Sequence, residues 1–161
     1  MDYLWSPWRL EYVTGTATAS GCVFCDARTS GQASLIVFQG STCFVILNKF
    51  PYNSGHLMVV PNRHIPSLAA ATTDELCELI ELARRSEVVL GEAYTPHGMN
   101  MGINIGKPAG AGVLDHVHLH VVPRWNGDTN YMTVVGETRV LPEELEQTAI
   151  KLRPLFERVS G

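Results

Sequence analysis

His116-Val117-His118-Leu119-His120-Val121-Val122 sets three of the chain's six histidines at alternate positions, with aliphatic residues between and after them. An imidazole changes charge near neutral pH, gives or takes a proton, ligates metals and serves as a nucleophile. On an extended strand alternate side chains share a face. The three rings are therefore expected to line one surface roughly 6 to 7 Å apart, while Val117, Leu119 and Val121 enter a core. Such a row can share one substrate group or one metal ion. A half-buried strand that carries histidines by chance fits less well, because the alternation takes three of only six.

Cys22-Val23-Phe24-Cys25 is the second reactive pattern. Two thiolates at this spacing can grip one tetrahedral ion, which needs two further ligands; the same pair can act in redox chemistry or stay as free thiols. No buried β-strand precedes Gly21, which disfavours a thioredoxin-like redox setting. Cys43 and Cys77 fall inside apolar patterns and are read as core residues. Directly before the triad runs Gly106-Lys107-Pro108-Ala109-Gly110-Ala111-Gly112-Val113-Leu114-Asp115. A glycine-rich loop there either offers backbone N–H groups to an oxyanion such as phosphate or serves a plain hairpin or bulge.

The elements that hold these groups follow from periodicity and turn residues. Apolar, β-branched runs at 35–38 and 42–47, joined by Gln39-Gly40-Ser41, predict a hairpin, and 57–60 predicts a third strand. Between the second and third strands, residues 48–55 carry the Pro, Asn and Gly content of a loop. Thr72-Thr73-Asp74-Glu75 has the form of a capping box. Leu76, Leu79, Ile80, Ala83 and Leu90 then recur near helical spacing and predict a helix over 73–94. Residues 99–105 predict a fourth strand and the histidine segment a fifth. His97, between Pro96 and Gly98, reads as an exposed turn residue. Pro142-Glu143-Glu144 predicts the start of a second helix, ending near Pro154. Strands, helix, strands, helix is an α+β order: an antiparallel sheet of about five strands with one long helix and a C-terminal helix.

The 161 residues suit a single domain over 1–161, with an N-terminal arm at 1–20 and a C-terminal helical extension at 125–161. Trp5 and Trp8, with Arg9, are expected to pack the arm across the domain or a partner subunit. A formal charge of -4 argues against binding a nucleic acid polymer and favours small substrates or protein partners. No apolar run approaches the roughly 20 residues that span a bilayer, and no positive n-region precedes an apolar one. A cytoplasmic protein with reduced cysteines is expected.

The triad resembles the signature of the histidine triad family. Asn48-Lys49-Phe50-Pro51, followed by Gly55-His56-Leu57-Met58-Val59-Val60-Pro61-Asn62-Arg63-His64, is similar to the family's second block, and the Cys22/Cys25 pair to that of its zinc-binding members. The resemblance covers roughly residues 21–124. It implies an enzyme acting at the α-phosphate of a nucleotide through a nucleotidyl-histidine intermediate. His118 is then the nucleophile, His120 the group that bonds the phosphoryl or leaving oxygen, and His56 the fourth active-site histidine. Asn48 takes the ribose-binding position, unless it only caps its own loop. Asn104 and Gly106 lie in the phosphate-contacting segment. The resemblance further implies a structural zinc held by Cys22, Cys25, His64 and His116, and a homodimer.

The chain departs from the family in one place. Many relatives carry Gln and then Ser or Thr shortly before the first triad histidine, whereas this chain has Gly112-Val113-Leu114-Asp115. The Val113 side chain donates no hydrogen bond, which leaves backbone N–H groups at Gly110, Gly112 and Val113 to meet the phosphates. Together with residues 123–130 this stretch is most similar to a bacterial branch that resembles diadenosine tetraphosphate phosphorylases. In that setting Arg124 either approaches the phosphate chain or is an ordinary surface arginine. Diadenosine tetraphosphate is the expected substrate, with phosphate as acceptor giving ADP and ATP, or water giving AMP. The alternatives are an AMP-phosphoramidate hydrolase and a non-catalytic, zinc-stabilised nucleotide-binding module.

Overall fold

Along the central strands odd- and even-numbered residues face opposite ways, and each face has its own cover. The computed structural model describes residues 21–29, 35–129 and 143–159. Five strands, β1 (Ile36–Gln39), β2 (Cys43–Leu47), β3 (Leu57–Pro61), β4 (Gly98–Ile103) and β5 (Leu119–Arg124), form one antiparallel sheet in the order β1-β2-β3-β5-β4. On the odd face, Val45, Leu47, Leu57, Val59, Leu119 and Val121 pack with Leu79, Leu82 and Leu90 of α2 (Thr73–Tyr94) and with Leu152 and Phe156 of α3 (Leu145–Arg158). On the even face, Phe44, Ile46, Met58 and Val60 lie under Phe24 and Ala27 of the seven-residue α1 (Val23–Thr29). The fold is α+β, as the order of elements predicts.

Helix α2 is fastened at its start and along one side. Thr72 Oγ1 accepts the Glu75 N–H at 3.2 Å and Glu75 Oε2 accepts the Thr72 N–H at 2.8 Å, completing the capping box. Arg63 adds a two-pronged grip on the same carboxylate at 2.7 Å. Three residues on, Glu78 accepts the backbone N–H groups of Ser41, Thr42 and Cys43 and the Thr42 hydroxyl, tying the β1–β2 turn to the helix.

Several expectations need correction. His116 and His118 precede the fifth strand, which begins at Leu119. The ladder with β3 covers only Leu57↔Val121, Met58↔His120 and Val59↔Leu119; beyond it the Pro61 carbonyl is bonded to the His116 ring, and the Val117 N–H donates to Ile65 O at 2.7 Å. Leu76 and Ile80 are exposed rather than buried. The buried stripe of α2 runs instead through Leu79, Leu82, Ala83, Val89 and Leu90, with Arg85 and Ser86 also inside. Cys77 is exposed, while Cys43 is buried as expected.

The last helix does not stop at Pro154 but runs to Arg158. Pro154 is exposed, and the segment beyond it is held by fully buried Phe156, whose carbonyl accepts from Arg85 Nη2 at 2.9 Å. Pro142 and the arm with Trp5, Trp8 and Arg9 lie outside the described residues. Among the described residues no helix is long and apolar enough to cross a membrane.

Candidate active site

The even face places His56 just before β3, His120 on β5 and His118 just ahead of it within one small area. The His118 and His120 rings are 4.8 Å apart, and the His56 and His120 rings 5.2 Å apart. His118 Nδ1 lies 3.0 Å from the His116 carbonyl oxygen, which can only accept. The proton therefore sits on Nδ1, and Nε2 keeps its lone pair. Burial, opposed in part by that hydrogen bond, holds the His118 pKa below the ordinary histidine value, so the ring is neutral at pH 7. A neutral ring with one nitrogen fixed as donor presents the other as a nucleophile.

The same rule fixes His56 and His120. The Tyr52 N–H donates to His56 Nδ1 at 3.1 Å, so a neutral His56 carries its proton on Nε2. That nitrogen is 3.0 Å from His120 Nδ1, which must then accept, leaving the His120 proton on Nε2. His118 thus offers a lone pair and His120 a proton. The Tyr52 ring lies 4.6 Å from His56 and 6.1 Å from His120, walling the pair.

Past His120 opens a cavity of about 430 Å³ along β4 and β5. Its polar wall is a fixed network. Arg124 grips Asp128 through Nε at 2.5 Å and Nη2 at 2.8 Å and reaches Asn100 Oδ1 through Nη1 at 2.8 Å; Asn53 Nδ2 donates to Asp128 Oδ2 and to Pro123 O, both at 2.9 Å. The Arg124 fork, outweighing burial, keeps the Asp128 carboxyl far below the usual carboxylate range. Asn104 also lines the cavity.

The other expected contacts fall as follows. Asn48 Oδ1 accepts the Phe50 N–H at 2.9 Å, the loop cap weighed above. Gly106 and Gly110 take positive φ, +81° and +88°, where glycine is favoured. They turn the loop so that the N–H groups of Ala109 and Ala111 donate to Gly106 O, and that of Gly110 to Lys107 O. Gly112 is exposed, and Val113 packs against the even-face cluster under α1. Tyr52, Asn53, Asn100 and Asp128 were not expected at the site. Only Asp128, four residues after Arg124, left any signal, and that spacing means little off a helix.

Cys22, Cys25, His64 and His116 converge, each with one donor atom within 4.8 Å of the others. Cys22 Sγ is 3.2 Å and Cys25 Sγ 3.7 Å from His116 Nδ1, and Cys25 Sγ is 3.4 Å from His64 Nδ1. Sulfur and nitrogen ligands on a tetrahedral zinc stand about 3.5 Å apart, given bonds of about 2.3 and 2.0 Å. The His116 Nε2 proton is taken by Pro61 O at 2.9 Å, which aims the Nδ1 lone pair at both sulfurs. Donor type, spacing and tautomer all suit a metal ion. The pattern supplied the two cysteines; the family resemblance supplied the two histidines.

A five-stranded antiparallel sheet thus presents a buried neutral imidazole beside a proton-bearing one, with a thiol–imidazole cluster that includes His116, two residues upstream of His118. The chain belongs to the HIT domain family, matching it over residues 30–127. It is 36% identical over 157 residues to the AP-4-A phosphorylase of Mycobacterium tuberculosis, covering 92% of this chain and 80% of that protein. It is 35% identical over 132 residues to a Bis(5'-adenosyl)-triphosphatase of Dictyostelium discoideum, covering 78% and 88%. Among solved structures it is similar to a Zn-bound histidine triad family protein from Mycobacterium smegmatis, with a TM-score of 0.69, 28% identity and coverage of 86% and 95%.

Proposed function

We propose that this protein cleaves adenosine polyphosphates at the α-phosphorus through an adenylyl-histidine intermediate, with diadenosine tetraphosphate as substrate. One observation carries the reading: His118 is held with Nδ1 as donor, so its Nε2 lone pair is ready for attack, next to a His120 whose Nε2 carries a proton. His118 Nε2 forms a bond to the α-phosphorus as the bond to the bridging oxygen breaks, and the His120 Nε2–H hydrogen-bonds that oxygen and offsets the charge it gains as ATP leaves. Inorganic phosphate then displaces His118 and gives ADP. Water in its place would give AMP. The AP-4-A phosphorylase and the Bis(5'-adenosyl)-triphosphatase among the relatives support this class of substrate, and the similarity to AP-4-A phosphorylase favours phosphate as acceptor. Asn48, Asn104, Gly106 and the amides of Gly112 and Val113 are proposed as the ribose and phosphate contacts; the expected Gly110 contact is not kept, because its N–H is already given to Lys107 O. Arg124 contributes through the wall it builds with Asp128.

The Cys22, Cys25, His64 and His116 cluster is proposed to hold a structural zinc. When bound, the ion supplies a cross-link between α1, the segment after β3 and the segment leading into His118. We place the reaction in the cytoplasm, where the thiols stay reduced.

The test is to mix protein with α-labelled diadenosine tetraphosphate, quench in base and look for AMP attached to protein. The adduct is expected in wild type or His120→Ala and absent in His118→Gly. Turnover with ATP and ADP as products is expected only when inorganic phosphate is present. Cleavage that persists in His118→Gly, or no adduct and no turnover in any protein, overturns the proposal and favours a binding module.

A further inference from the structure

Resting on that reading, we infer that Gly102 sets the size of the leaving portion the site admits. Gly102 pairs directly with His120 across β4 and β5, so both point to the same face of the sheet. It lines the cavity past His120. A Cβ built at Gly102 meets no heavy atom within 4 Å, and its φ lies outside the left-handed range. Neither backbone conformation nor packing within the chain calls for glycine there; what glycine does is keep the cavity floor clear beside His120.

The leaving portion must pass that spot. The His118 ring has two ring neighbours, Phe24 of α1 at 4.9 Å between centroids and His120 at 4.8 Å. An in-line displacement sets the leaving oxygen opposite the attacking Nε2, within reach of the His120 proton, and everything attached to that oxygen continues past His120. The open room past His120 is the cavity over Gly102, bounded by Asn100, Asn104 and the Arg124–Asp128 pair. A side chain at position 102 would occupy the path taken by a nucleoside polyphosphate and leave room for a small amine.

The experiment compares kcat/KM for diadenosine tetraphosphate with that for adenosine 5′-phosphoramidate, which shares the adenylyl half and loses only ammonia. Wild type, Gly102→Ala, Gly102→Val, Gly102→Leu and Gly98→Leu are measured, with melting temperature as a fold control. Gly98 shares the strand and its open surroundings but does not line the cavity. The ratio of the two kcat/KM values is expected to fall stepwise with side-chain volume, by tenfold or more at Gly102→Leu, and to hold within twofold in Gly98→Leu. An unchanged ratio overturns the inference. An equal loss on both substrates also does so, since the cavity would then hold the shared adenylyl half, as does an equal fall of the ratio in Gly98→Leu. Failure of wild type to cleave either substrate overturns the proposed function itself, and the inference with it.

Discussion

His56 reaches the chemistry only through His120. It donates from Nε2 to His120 Nδ1 because its own Nδ1 is taken by the Tyr52 N–H. Without it, His120 is free to carry its proton on Nδ1, and the donor facing the substrate is lost. His56→Ala is expected to lower kcat on the order of 100-fold, within the usual worth of one hydrogen-bond donor to developing charge, with little change in KM. An unchanged kcat would reduce His56 to a packing residue. The histidines and cysteines could be read from sequence because alternation and Cys-x-x-Cys spacing are local patterns. Tyr52, Asn53 and Asp128 could not, because their roles arise where the loop after β2 meets the turn after β5, some 70 residues apart in the chain.

At the level of elements, two acidic residues on α2 act as anchors. The Arg63 fork, opposed by burial and aided by the Thr72 N–H, lowers the Glu75 pKa from 4.5 to about 2. A depressed carboxyl contributes stability above its unfolded value and loses it as pH falls through the folded one. Glu75→Gln is therefore expected to lower the melting temperature by several degrees at pH 7, and the gap to wild type should close between pH 4.5 and 2, as followed by circular dichroism. Pro154 acts in the opposite sense, since it removes one backbone donor from the interior of α3 while its ring faces solvent. Pro154→Ala is expected to stabilise by roughly 1 to 3 kcal/mol, read as a raised urea midpoint. The capping box was legible because its residues are neighbours. The continuation past Pro154 was not, since it depends on Phe156 and Arg85 meeting across the core.

Over the whole molecule, the thiol–imidazole cluster joins three stretches that are far apart in sequence: α1, the residues after β3 and the approach to β5. A structural zinc there is worth on the order of 10 kcal/mol to folding. Purified protein is expected to carry one zinc per chain. Chelation or Cys22→Ser should remove it and lower the melting temperature sharply; equal metal content in both proteins would count against the site. The strand order was only partly legible, because β3–β5 pairing brings together residues about 60 apart. The outer edge of β4 pairs with no strand among the described residues, and Met101 stands 42% exposed on it. A free edge of this kind favours pairing with a second copy about a two-fold axis, so sedimentation is expected to give twice the 17.7 kDa chain mass.

His116 faces two ways at once. Its ring touches both sulfurs and the Pro61 carbonyl, while its own carbonyl steadies the proton of His118. One amino acid therefore ties the thiol cluster to the proposed nucleophile, and a disturbance that tugs on the former arrives at the latter without crossing a single intervening side chain.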